Sequence, residues 1–180
     1  MAAMTKPDAD PLPILITPHA ALRRKARPVG PGDDDAVRAL VPRMFAAMYD
    51  APGIGLAAPQ VGVSLRLFVM DLMADDISKP VTLINPQIIA ASEERATREE
   101  GCLSVPGQYA DVTRPAQVKV RYQDLEGVRQ EIEGDGLLAA CLQHEIDHLD
   151  GVLFVDHLTP LKRNILLRRL AKDLKQKASG

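Results

Sequence analysis

Two cysteines among 180 residues, Cys102 and Cys141, are too few for a disulfide framework, and nothing near the start reads as a secretory signal. A reducing cytoplasm is therefore the expected compartment. No apolar run approaches the roughly 20 residues that span a bilayer, so no membrane partner is expected. Charge of one sign is also missing: 22 Lys+Arg stand against 24 Asp+Glu, and a net charge of -2 excludes a global attraction to nucleic acid or anionic lipid. There is no internal repeat or low-complexity segment. What the chain does have is 46% hydrophobic content in a length suited to one packed core. Met1 to Pro13 carries Asp8, Asp10 and three prolines, so residues 1–11 are expected to be a disordered lead-in to a single domain over 12–180.

The elements follow from periodicity. Leu12 to Thr17 reads as extended, and a first helix starts near Asp33 to Asp35, with Val37, Leu40, Val41, Met44 and Met48 at helical spacing. Pro42 inside that pattern predicts a kink or a later start. Arg66–Asp71, Val81–Ile89, Gln117–Tyr122 and Val128–Glu133 are short runs of Val, Ile, Leu and Tyr that read as strands, and Asp124 to Gly127 has the chemistry of a hairpin turn. Helical spacing returns from Leu137 to Leu149, where Asp135 is placed to cap the free amides, and again from Thr159 to Lys177. Strands in the middle with helices at both ends predict an α+β fold, mostly antiparallel, packed around the helix at Leu137–Leu149.

That helix carries His144-Glu145-Ile146-Asp147-His148, an H-E-x-x-H whose i, i+4 spacing stacks both imidazoles on one face, where they can reach one metal ion. Leu137 and Cys141 share that face, while Leu138, Leu142 and Leu149 form a separate apolar stripe for the core. Glu145 projects between the two faces, where its carboxylate can take a proton from an activated water. A third ligand is needed. The extended motif of one peptidase class puts a histidine six residues after the second, but Phe154 stands there and His157 falls three residues late. A thermolysin-like site needs a downstream Glu, and none follows Glu145. The ligand must lie upstream, where Cys102, in Glu100-Gly101-Cys102-Leu103-Ser104, completes a Cys-His-His set that leaves one position open. Cys141 reads as a buried small apolar residue. A third segment, Gly53-Ile54-Gly55-Leu56-Ala57-Ala58-Pro59-Gln60, is too apolar for a solvated loop, and its small residues would let another backbone lie alongside. Gln60 could donate to a carbonyl oxygen.

Taken together, GIGLAAPQ, EGCLS and QHEIDHLDG resemble in order and separation the three motifs of peptide deformylases, over roughly Leu12 to Lys177. The resemblance implies a metal-dependent hydrolase that removes the formyl group from N-formyl-methionyl nascent peptides. It implies Cys102, His144 and His148 as metal ligands, Glu145 as acid and base, and Gln60 with the Leu103 N–H as oxyanion donors. The donors suit zinc, iron, nickel or cobalt, and the resemblance points to Fe(II) as the native ion. The peptide is expected to lie extended beside Gly53 to Leu56, Gly55 included, with Ile54, Leu137 and Cys141 forming a methionine pocket and Glu100 and Arg98 at its rim. The last helix is similar to the long C-terminal helix of many bacterial members. Its Leu166, Leu167, Leu170 and Leu174 share one arc opposite Lys162, Arg168, Arg169, Lys172 and Lys175, and this basic face is a candidate ribosome contact. A monomer is expected. The rival readings are another H-E-x-x-H hydrolase such as a peptidase, against which the Cys ligand counts, and a metal that only staples the fold, against which three ligands beside a base count.

Overall fold

The computed structural model describes residues 9–180. Of the expected lead-in over 1–11, residues 1–8 lie outside the described residues.

Helix α1, Asp34–Asp50, contains Pro42, so of the two expected outcomes the later start does not occur. Its Val37, Val41, Met44, Ala47 and Met48 meet Leu56, Leu67, Val69 and Ile84. Strands β1 (Gly55–Ala57), β2 (Leu67–Met70) and β3 (Val81–Ala91) follow. The β4 (Arg95–Cys102) and β5 (Val105–Pro115) hairpin is next, and then β6 (Val118–Gln123) and β7 (Arg129–Gly134). Helix α2 spans Gly136–Leu149 and helix α3 spans Pro160–Ala178.

All named strand pairs are antiparallel. They form two sheets where one had been expected: a five-stranded sheet in the order β1-β2-β3-β6-β7, and the separate β4-β5 ribbon. Alternation along β2 explains why α1 and α2 lie on opposite faces of the larger sheet. Leu67 and Val69 point into the α1 cluster, whereas Phe68 and Met70 join Cys141, Leu142, Ile146 and Leu149 of α2. The apolar stripe of α2 thus does what its spacing predicts. Helix α3 buries Leu166 and Leu170, with Leu167 and Leu174 partly covered, against Val105, Val112 and Phe154.

Two details differ from the sequence reading. Asp135 sits at the N-cap of α2 but its side chain makes no capping bond; its carbonyl accepts from Ala139 N–H instead. Strands β1, β4 and β5 had not been expected as strands. The turn at Asp124 to Gly127 forms as expected, with Asp124 Oδ1 accepting from Glu126 and Val128 N–H and Gly127 at φ +77. The extended Leu12–Thr17 segment pins two parts of the site: Leu15 N–H donates to the Gln60 carbonyl and Thr17 N–H to that of Ser104.

Candidate metal centre and active site

Three donor atoms converge where α2 passes the end of the β4-β5 ribbon. The i, i+4 stacking brings His144 Nε2 and His148 Nε2 to 3.2 Å, and Cys102 Sγ lies 3.3 Å from His148 Nε2. The three ligand atoms lie within 4.8 Å of one another. Cys102 is carried there by a tight reversal, since Cys102 pairs with Val105 across only Leu103 and Ser104. Gly101 is required before it because a β-carbon there would meet the Tyr109 ring at 2.6 Å.

Glu100 fixes the orientation of His144. Its Oε1 lies 3.0 Å from His144 Nδ1, which places the ring proton on Nδ1 and leaves the Nε2 lone pair for a cation. Arg114 grips the same carboxylate through Nε at 2.7 Å and Nη2 at 3.0 Å, and its Nη1 donates to Asp147 Oδ2 at 2.8 Å. His157 Nε2 faces that oxygen at 2.8 Å. Burial acts to raise the pKa of Glu100, but the hydrogen bonds and charges of His144 and Arg114 outweigh it and hold the carboxyl at about 2. Glu100 borders the cavity, and its 8% exposed carboxylate is turned to His144 and Arg114, the latter 6% exposed. His157 stays outside the donor cluster, as its spacing requires, and Phe154 stacks on His144 at 6.2 Å.

Glu145 is buried beside the donors, and its Oε2 has no hydrogen-bond partner. Burial, first of all, raises its pKa to about 7, against the pull of His144. Gly55 makes room for it, since a β-carbon there would lie 2.6 Å from Glu145 Oε1. At Gly53 a β-carbon would likewise lie 2.7 Å from the Leu103 side chain. The small residues of this segment therefore make room for the Glu145 and Leu103 side chains. Gln60, in the short 3-10 turn after β1, is held by the last residue of that strand: Ala57 N–H donates to its Oε1 at 2.9 Å. Its Nε2 then donates to Ser104 Oγ at 3.0 Å and stands 3.6 Å from Cys102 Sγ.

A metal ion fits this place. A thiolate and two imidazoles are a donor set for zinc, iron, cobalt or nickel, and one of the imidazoles is backed by a carboxylate in the usual way. The unpartnered Glu145 Oε2 marks a position beside the donors that a water or substrate can fill. A cavity of about 310 Å³ opens from the donors, with Cys141 in its wall and Ile54 and Leu137, 37% and 43% exposed, toward solvent. Strand β1 is the edge of its sheet, so Gly55 offers a free backbone edge to this cavity.

Sequence reasoning had missed Arg114, Asp147, Ser104 and Tyr109. Tyr109, 64% exposed, borders the cavity over Gly101. Asp147 lies inside the motif itself and was available; Arg114 joins the site only across the ribbon and has no local signature.

Comparison with known proteins agrees with this geometry. A sequence profile of the polypeptide deformylase family matches residues 11–164. A peptide deformylase of Mesorhizobium japonicum is 50% identical over 169 residues, covering 93% of this chain and 96% of that protein. One of Brucella suis is 51% identical over 168 residues, covering 93% and 95%. The crystal structure of a peptide deformylase from Legionella pneumophila superposes with a TM-score of 0.88 at 47% identity, covering 94% of this chain and 99% of that one. The one from Synechococcus elongatus in complex with actinonin gives 0.84 at 44% identity, covering 90% and 89%.

Proposed function

The chain belongs to the polypeptide deformylase family, metal-dependent hydrolases that remove the N-terminal formyl group of nascent polypeptides, and on that premise we propose a role for each side chain of the site. Cys102, His144 and His148 hold one divalent cation, natively Fe(II), with zinc, nickel and cobalt as substitutes. The chemistry supplied there when the ion is bound is Lewis acidity, which lowers the pKa of a water and polarises the formyl carbonyl.

Glu145 takes the proton released as the water oxygen bonds to the formyl carbon, and returns it to the leaving amine as the C–N bond breaks, so formate and a free N-terminus result. A carboxyl poised at about 7 serves both transfers. The Gln60 amide, held by Ala57, and the Leu103 N–H donate to the oxyanion, each worth about 3 kcal/mol in the transition state. The peptide adds to the free edge of β1 at Gly55, and Ile54, Leu137 and Cys141 receive the methionine side chain. One catalytic domain over residues 12–180 carries all of this.

The observation that carries the reading is the unpartnered Glu145 Oε2 beside three convergent metal donors. Formate release from formyl-Met-Ala-Ser, with the acetylated analogue intact, is the expected result. Equal cleavage of the acetylated peptide, or of internal peptide bonds, would refute it.

No helix among the described residues is long and apolar enough to cross a membrane, and we assign the protein to the cytoplasm as a monomer. Lys162, Arg168, Arg169, Lys172 and Lys175 are all exposed on α3, whose leucine arc is packed away. This supports a salt-sensitive contact with ribosomal RNA phosphate. Charge reversal at Arg168, Arg169 and Lys172 should weaken co-sedimentation with ribosomes and spare hydrolysis of a short formyl peptide; unchanged co-sedimentation would leave α3 purely structural.

A further inference from the structure

The wall of the substrate cavity contains one arginine, Arg98. It is exposed and, among the described residues, its side chain makes no hydrogen bond or ion pair. Other arginines near the site are committed: Arg114 to Glu100 and Asp147, Arg23 to Asp156, Arg66 to Asp150. Arg98, Glu100 and Cys102 alternate along β4 and share the strand face that meets α2. Cys102 meets His148, Glu100 meets His144, and the Arg98 guanidinium reaches the start of the helix, where a β-carbon on Gly136 would lie 3.9 Å from its Nη1.

This places a free cationic donor at the far end of the methionine pocket. Gly136 precedes His144 by eight helical positions, about 12 Å along the axis. The methionine sulfur lies five bonds from the formyl carbon, an extended span of about 6 Å. An oxygen on that sulfur, plus one hydrogen bond, accounts for most of the remaining distance. Leu137 and Cys141 lie between, on the same face of α2 as His144. An unmodified thioether has no strong acceptor to offer, and Arg98 can lay its aliphatic stem along it with the head in water.

We propose that the pocket also accepts N-formyl-methionine sulfoxide, the Arg98 guanidinium donating to the sulfoxide oxygen, so that the enzyme deformylates nascent chains whose first residue is oxidised. The inference rests on the deformylase reading above and extends its substrate class. Sulfoxide formation makes the side chain polar and chiral, and an apolar pocket without a donor would reject it. Because the donor sits on one wall, one sulfoxide epimer is preferred.

The test compares kcat/KM for formyl-Met-Ala-Ser and its two separated sulfoxide epimers, in the wild type, Arg98→Leu and Arg98→Lys, each checked for an unchanged thermal transition. In the wild type, the better epimer is processed within about tenfold of the unoxidised peptide; Arg98→Leu lowers the sulfoxide-to-thioether ratio by about tenfold, and Arg98→Lys lowers it less. An identical ratio in wild type and Arg98→Leu, or wild-type rejection of both epimers, would overturn the proposal. Failure to release formate from formyl-Met-Ala-Ser itself would overturn the underlying reading, and this one with it.

Discussion

Replacing Arg114 by Met tests the claim that a buried charge cluster holds His144 in place. The substitution keeps the length and apolar stem but removes the donors at 2.7 and 3.0 Å from Glu100 and at 2.8 Å from Asp147. Glu100 Oε2 then has no partner, and the carboxylate stays buried with only His144 beside it. Removing one member of a buried ion pair costs about 3–5 kcal/mol, because the other charge is left uncompensated. For a chain of this length each kcal/mol moves the thermal midpoint by about 2–4 °C, so a drop of roughly 10 °C is expected. Metal affinity should fall about 10- to 100-fold, since Glu100 no longer orients His144 firmly. Calorimetry and metal competition against a chelator measure the two quantities.

The double substitution Arg114→Met with Glu100→Leu separates stability from function. With neither charge left in the pair, much of the lost stability should return. Metal affinity should not, because His144 Nδ1 has lost its acceptor. A single variant that melts with the wild type, or a double variant that recovers affinity along with stability, would refute the role assigned to the cluster.

Other outcomes follow from the same geometry. Glu145→Ala should retain near-stoichiometric metal and lose turnover by about 10²–10⁴-fold, measured by metal analysis and formate release. Glu145 has its folded pKa raised from 4.5 to about 7, chiefly by burial, so its contribution to stability is full below 4.5 and lost as pH rises through 7. In protein stripped of metal, urea titrations should show roughly 3 kcal/mol lost across that window, absent in Glu145→Gln; equal slopes in both would exclude the assignment. Gly55→Ala pushes a β-carbon to 2.6 Å from Glu145 Oε1 and should lower kcat more than it raises KM. The iron-loaded enzyme should lose activity on aeration through oxidation at the metal and Cys102, while the nickel-loaded form does not.

Much of this site was legible because its strongest signal is periodic and local. His144, Glu145 and His148 are bound together by helical spacing, and the stripe of Leu138, Leu142 and Leu149 says which face goes inward. The ribbon was not legible. Arg95 to Glu99 are all exposed, so β4 shows no alternation of apolar and polar residues, and β1 is three small or apolar residues that read equally well as loop. That omission hid the contacts of Glu100 with His144 and Arg114. Once β4 is a strand, period two puts Arg98, Glu100 and Cys102 on one face, and a carboxylate two residues before a metal ligand becomes a natural partner for a ligating histidine. Arg114 could not be found this way. It reaches Glu100 from the partner strand, and its burial is set by packing of the ribbon against α2, a relation no local pattern encodes.

The same cluster explains how ligands from two separately packed bodies keep their geometry. Helix α2 belongs to the core of the five-stranded sheet, while β5 and the Leu153–Val155 segment belong to the core under α3. Cys102 is thus on one body, and His144 and His148 are on the other. A cation alone could bridge them, but then the site would have to be assembled at the cost of ordering both bodies each time it binds. Arg114 offers a tie that does not depend on the ion. From β5 it ties Glu100 on β4 to Asp147 on α2, and His157, beyond the end of α2, closes on the same Asp147 oxygen. These contacts use no atom of the donor set. They therefore help to keep Cys102 beside His148, independently of the donor atoms themselves, while Gln60 is fixed by Ala57 of β1 and Gly55 of β1 leaves the room that Glu145 occupies.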